Sequence, residues 1–443
     1  MRRGVMEQMV SLISLGDGST LTLDFTTGVL DSRLTFTRAS TTATYINSSG
    51  YITTAGTNVP RFDYDPTTLA PRGLLVEGQA TNLMFRSQEI ATSPWFNAGT
   101  MTVSNIGSGS PANDATSNVV TWTNGTGSGG AWLQQNVAVS AGALVVGTAY
   151  TWSVWLKNRG GRRVNLFAVL QGVTGNREVR VDFGVSPPTV TSTVATGWTS
   201  IQTPTIVEYP NGWYKITTGG TLPASVTSVN FGFSNADAVP ASGTNGFEAW
   251  GYQLETGSGA SSYIPTGASQ ATRALDSCYI AGTNFTSWFS AGAGTVVAQS
   301  DNVCIPAVGS QNLVGNFSDS TSSNYVRMGY QVGGGTTELL LTSVGGSIQG
   351  ASDSGFTPTL NTTYKSAYAW DTNNFACCAN GGAVGTDVSG TLAGAGVITS
   401  LTIGGDFYQT SGPNSIYMKN GHIRLFKYWP TRLPNAQLQS LTT

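Results

Sequence analysis

Between Tyr150 and Leu156 the residues alternate: Tyr150, Trp152, Val154 and Leu156 would face one way, and Thr151, Ser153 and Trp155 the other. A period of two is the repeat of an extended strand, whose successive side chains leave opposite faces of a sheet. Val164, Leu166, Ala168 and Leu170 repeat the pattern, as do Val229, Phe231 and Phe233 with Ser228, Asn230 and Gly232 opposite. Loops rich in Gly, Ser, Thr and Asn separate these runs. Together they predict an antiparallel sandwich whose sheets each bury one face and wet the other. Trp155 stands apart. It cannot point inward on the same regular strand as Trp152, so it is expected to be exposed, at an interface or at a bulge.

Texture divides the chain into four stretches. Residues 1–17 form a short arm in which Met6, Met9, Val10 and Ile13 recur at helical spacing, and these four are the candidate attachment residues. A secretory signal is disfavoured, because Glu7 and Gln8 interrupt the apolar run. Residues 18–86 read as a turn-rich β module, with strands expected at Thr20–Phe25, Leu34–Arg38 and Ala43–Ile46 and a hairpin turn at Asn47–Gly50. Residues 87–274 carry the alternating sandwich. Residues 275–443 reset the pattern with a second set of strands, among them Tyr325–Tyr330, Lys365–Trp370, Phe375–Ala379 and His422–Trp429. Within this last stretch only Pro434–Leu441 reads as helix. The fold class expected is all-β.

Charge agrees with that reading and excludes some functions. Charged residues are 10% of the chain, against roughly 25% in an ordinary globular protein. Exposed helix faces want Glu, Lys and Arg, so helices are disfavoured. A net charge of −2 argues against electrostatic binding of nucleic acid. No apolar run is long enough for a membrane-spanning helix. The cysteines Cys278, Cys304, Cys377 and Cys378 include no CxxC pair, so buried or edge thiols are expected rather than a metal site or a disulfide framework.

Several segments resemble a known group of proteins. LDFTTGVLDSRLTFTRASTTATYINSSGYI and NVPRFDYDPTTLAPRGLLVEGQATNL resemble an N-terminal module of bacteriophage and prophage virion proteins: tail fibres, head fibres and spikes. YTWSVWLKN, NGWYKI and FEAWGYQLETGSGASSYIPTGASQATRALD resemble a jelly-roll domain similar to carbohydrate-binding modules. TYKSAYAWDTNNFACCANGG and NGHIRLFKYWPTRLPNAQLQSL resemble a concanavalin-like or laminin-G-like sandwich. The resemblance implies a structural protein at the virion surface, made in the bacterial host cytoplasm. It would be anchored by its N-terminus to capsid, portal, tail or fibre proteins. A homotrimer and adhesion to host-surface polysaccharide are also implied.

Sugar binding is the chemistry the residues support best, because sugars sit on aromatic faces while amides and hydroxyls meet their hydroxyl groups. Trp155, Trp213, Tyr214, Trp250 and Tyr252 are the candidate platforms. No catalytic residue is expected. Glycoside hydrolysis needs two carboxylates facing across a cleft. The most interesting pair, Glu248 and Glu255, has an odd spacing that would put them on opposite faces of one strand. The sole histidine, His422, has no GxSxG nucleophile elbow to serve and reads as a packed or exposed strand residue. Asp371, Asp387 and Asp406 are conceivable calcium ligands but read as turn residues, so no cofactor or metal is expected. The alternatives to a virion component are a phage depolymerase and a soluble glycan-binding protein.

Overall fold

The computed structural model describes residues 17–99, 101–104, 107–122, 132–140, 142–160, 163–235, 246–304, 310–331, 337–406 and 417–443. The attachment candidates Met6, Met9, Val10 and Ile13 lie outside the described residues. The described chain is all-β, with antiparallel strands in two sandwiches. The alternating runs form strands where the period of two puts them, as Ala149–Arg159, Arg163–Gln171 and Ser228–Asn235. The expected tail helix is present as Asn435–Thr442.

One sandwich is built from both ends of the sequence. Its larger sheet runs from Gly385–Asp387 through Phe375–Ala379, Tyr364–Trp370, Gly294–Ser300 and Gly421–Trp429 to Pro71–Val76 and Phe62–Tyr64. Leu21–Asp24 also pairs with Gly421–Trp429, setting Leu21 opposite Tyr428. The facing sheet takes Thr35–Thr37 at its edge, beside Ser277–Ala281. Residues 18–86 are therefore not a module of their own, which corrects the sequence-based division. Leu21, Leu23, Phe25, Phe36, Leu74 and Val76 share one core with Cys278, Phe317, Trp370 and Phe426. Local periodicity identifies a strand but is silent about its partner, and these partners are hundreds of residues away.

The other sandwich is an insertion in the first. The chain leaves through Ala80–Asn82 and returns through Ala271–Arg273, and these two short strands pair with each other. Between them lie two six-stranded sheets. They close on a core containing Tyr150, Trp152, Val154 and Leu156, the inward set that the alternation predicts.

A buried ionic network surrounds the crossing point. Arg61 pairs with Glu77 at 2.6 Å and with Asp276, Arg38 with Asp276 at 3.1 Å, and Arg273 with Glu77 at 3.2 Å. The side chains of these residues are at most 1% exposed. Ser262, on the segment leaving the inserted sandwich, donates its N–H and its hydroxyl to Glu77, each at 2.7 Å. The two Arg charges hold the Glu77 carboxyl down at about 2 against the cost of its burial. Residues 58–78 supply Arg61 and Glu77 to this network, residues 259–276 supply Ser262, Arg273 and Asp276, and Arg38 joins from upstream.

Candidate functional site

The inserted sandwich has two outer faces with opposite fates. One belongs to the sheet containing Ala149–Arg159, Trp213–Thr221 and Gly246–Thr256. On it Thr151, Ser153, Trp155, Gln253 and Glu255 are all buried at 2% exposure or less. The hairpin Ala43–Ile46/Ile52–Ala55 and the segment around Tyr263 cover it, forming a cluster of Ile46, Ile52, Trp155, Tyr209, Trp213, Trp250 and Tyr263.

This placement corrects the sequence-based platforms. Trp155, Trp213 and Trp250 are at most 1% exposed and lie in that covering cluster, while Tyr252 lies in the sandwich core. Tyr214 is half-buried against the core and meets Phe183 edge-on. None of the four buried rings offers a face to a ligand. The expectation that Trp155 leaves the core holds, and its destination is an interface within the chain.

A bulge explains why Trp250 and Tyr252 face opposite ways although two residues apart. Pairing between Ala149–Arg159 and Gly246–Thr256 slips between Ser153 and Trp155. At Gly251 φ is +68°, and a Cβ there would stand 2.8 Å from the Trp155 ring, so glycine alone fits both the turn and the space. The slip also puts Glu248 and Glu255 on one face rather than opposite faces. They remain at the two ends of the strand with Trp250 between them. Each is occupied: Glu248 accepts from Ser108 and Ser117, and Glu255 from Gln253 and Ser261.

Among the described residues, no strand or hairpin packs on the second outer face. It belongs to the sheet ordered Thr189–Thr196, Asn176–Asp182, Arg163–Gln171, Ser228–Asn235, Trp132–Ala138 and Phe96–Ala98. Register places its outward residues in rows. One row reads Trp132, Ser234, Asn165, Arg180. The next reads Phe96, Gln134, Gly232, Phe167, Glu178. A third reads Asn136, Asn230, Val169, Asn176. Phe167 is 6% exposed yet lies outside the core cluster formed by Leu166 and Ala168, so neighbours on the outer face cover most of it. Phe96 is 59% exposed, and Trp132 and Gln134 are half-buried.

Some of the polar groups on this face are held in place. Asn136 donates to Ser228 Oγ at 2.9 Å and to Asn230 Oδ1 at 2.6 Å, and Arg180 Nε donates to Asn165 Oδ1 at 3.1 Å. Gly232 lets the two strands approach closely between Gln134 and Phe167, because a Cβ there would collide with the Leu133 carbonyl oxygen. Aromatic surface beside fixed amides suits a polar ligand with apolar faces. The acids here, Glu178 and Asp182, are four residues apart on one strand, about 13 Å at 3.3 Å per residue. That exceeds the roughly 5–9.5 Å separation that glycoside hydrolysis uses. The sequence did carry a signal for this face: Leu133 and Val137 point inward, which leaves Trp132, Gln134 and Asn136 on the other side.

Among the described residues no group of three or more His, Cys, Asp or Glu side chains could hold a metal. Asp406 instead pairs with Arg327, and Asp387 accepts from Ala351 and Ser389. All four cysteines are free thiols, three of them buried. No described helix is long and apolar enough to cross a membrane.

No protein-family model matches this chain, and no curated protein matches it. Several solved structures are partly similar. Domain 4 of the extracellular arabinanase AbnA from Geobacillus stearothermophilus is 12% identical, over 42% of this chain and 82% of that one, with a TM-score of 0.29. The NanB sialidase from Streptococcus pneumoniae is 13% identical over 37% of this chain and 26% of its own, with a TM-score of 0.30. Domains LG4-5 of the mouse laminin alpha1 chain are 9% identical over 68% and 90%, with a TM-score of 0.23. Overlaps this loose do not bear on what the chain does.

Proposed function

We propose that this chain binds glycans through the open face of its inserted sandwich, without cleaving them, and that it does so at the surface of a bacteriophage particle. The observation behind the binding site is the contrast between the two outer faces. The chain covers one with its own hairpin, and no described strand packs on the other, which is set with Phe96, Trp132, Gln134 and Asn230. An extended sugar chain laid across the strands would rest on the rings and exchange hydrogen bonds with the amides. The wide spacing of Glu178 and Asp182 favours binding over hydrolysis.

The virion role is supported by the sequence resemblance of the segments that meet at the ionic crossing point. In this reading residues 1–17 attach the chain to capsid, portal, tail or fibre protein, trimers form on the particle, and the open face points outward.

Two measurements test the proposal. Binding to host-surface polysaccharides should fall at least tenfold in Trp132→Ala and Gln134→Ala, with unfolding midpoints unchanged. Affinity that neither variant alters would remove the open face as the site. Cryo-electron microscopy of the particle should find the chain there, and its absence would leave a soluble glycan-binding protein.

A further inference from the structure

Beside the ionic crossing point, the composite sandwich holds a second buried polar group that glycan binding does not use. Lys419 lies two residues before the strand Gly421–Trp429 and is 0% exposed. Asn302, 1% exposed, follows the neighbouring strand Gly294–Ser300. The ladder between these strands continues past its end, through Asp301 N–H to His422 O at 3.1 Å and Val303 N–H to Asn420 O at 2.9 Å. This continuation fixes the two side chains against each other. Lys419 Nζ stands 2.7 Å from Asn302 Oδ1, 3.1 Å from Ser300 Oγ and 3.3 Å from the Tyr364 hydroxyl.

The Tyr364 hydroxyl stands 3.4 Å from Glu338 Oε2, and Tyr368 bonds the other oxygen of that carboxyl. Glu338 and Tyr368 are 0% exposed. Among the described residues, no carboxylate lies within ion-pair distance of the Lys419 amine. Asp301, the nearest acid in sequence to Asn302, is held by His422.

We propose that Lys419 and Asn302 join spontaneously in an intramolecular amide bond. The amine nitrogen is already at hydrogen-bonding distance from the carboxamide oxygen, one atom from the carbon it would attack, in a site that excludes water. The Nζ lone pair forms a bond to Asn302 Cγ. The proton shed by Nζ passes through the Tyr364 hydroxyl toward Glu338. A proton from the same Glu338–Tyr364 relay goes to Nδ2, the Cγ–Nδ2 bond breaks, and ammonia leaves. Nothing is oxidised or reduced, and no further reactant is needed.

The protonation states suit this step. Burial pushes the Lys419 amine down to about 8, so a neutral, nucleophilic form is accessible near neutral pH. Burial also raises the Glu338 carboxyl above its ordinary range, so it can carry the proton that the leaving group takes. Glu338 acts through Tyr364 and is a positioning residue for the proton.

The bond would join positions 117 residues apart. It would clamp the start of the closing strand to its neighbour.

The test is the intact mass of the full-length chain under denaturing conditions, followed by peptide mapping. The expected mass is about 17 Da below that of the sequence, the loss of one ammonia, with a branched peptide joining residues 302 and 419. Lys419→Arg and Asn302→Ala should each restore the sequence mass. Glu338→Gln should stay unlinked while unfolding cooperatively, and Glu338→Asp should recover part of the linkage, which a merely structural role for that side chain would not produce. A wild-type chain that keeps its full sequence mass after a day at pH 8 overturns the proposal. So does an ammonia loss that maps anywhere other than Asn302 and Lys419.

Discussion

Trp155 and Trp250 stand directly opposite each other on neighbouring strands, and their rings meet edge to face with centroids 5.4 Å apart at 78°. Tyr263 completes the group, 5.5 Å from Trp155 and 4.5 Å from Trp250. The three rings fill the joint between the inserted sandwich and the hairpin that covers it.

Removing Trp155 should therefore damage stability and spare ligand binding. Trp155→Ala is expected to lose about 3–5 kcal/mol, the usual cost of emptying a large aromatic site. Urea unfolding measures the loss, and glycan titration should show wild-type affinity. A variant that unfolds normally but loses glycan would return the binding site to this ring.

Gly251→Ala should also destabilise, by more than about 1 kcal/mol, because the position needs positive φ and has the Trp155 ring 2.8 Å from where a Cβ would go. The slip in register depends on that residue. Tryptophan fluorescence should shift along with the unfolding midpoint, since Trp155 and Trp250 would both be displaced.

Breaking one partner of the ionic network should cost more than removing the network as a unit. Asp276→Asn leaves Arg38 and Arg61 short of counter-charge inside the protein, and a loss of about 3–5 kcal/mol is expected. If the network joins the sandwiches as described, calorimetry should show one transition in the wild type and two in the variant. Two transitions in the wild type would mean the sandwiches unfold independently.

His422 gives stability a pH dependence. Its ring nitrogens meet Asp301 Oδ1 and Asp63 Oδ2, each at 2.8 Å, and these carboxylates raise the ring to about 9 although burial alone would lower it. A folded-state value above the unfolded one means the folded chain binds the proton more tightly. The resulting stability is complete below about 6.5 and is lost as pH rises through about 9, a span worth roughly 3 kcal/mol. Subtracting the unfolding free energy of His422→Gln from that of the wild type, from pH 6 to 10, isolates this contribution. A difference that stays flat across the range would mean the ring does not titrate there.

The strands were largely legible and their company was not. Alternation placed Ala149–Arg159 and even sorted its two tryptophans, because a period of two is a local property of the backbone. It could not show that Trp155 would be covered, since the covering residues Ile46 and Ile52 lie a hundred residues upstream. The same limit hid the pairing of Leu21–Asp24 with the last strand. Gly251 reads in the sequence like any glycine, yet it reverses which residues beyond it face outward. Aromatic residues drew attention by type, and so the open face, where amides outnumber rings, was passed over.

Leu21–Asp24 cannot find its place in the sheet until Leu425–Tyr428 exists, about 400 residues later. At roughly 5–20 residues per second, the ribosome keeps the opening strands waiting for about 20–80 seconds while the whole inserted sandwich emerges. A chain broken off anywhere before its final strand leaves Leu21, Leu23 and Phe25 with no sheet to complete. The architecture thus makes synthesis of Gly421–Trp429 the condition for sheltering Leu21, Leu23 and Phe25 from water.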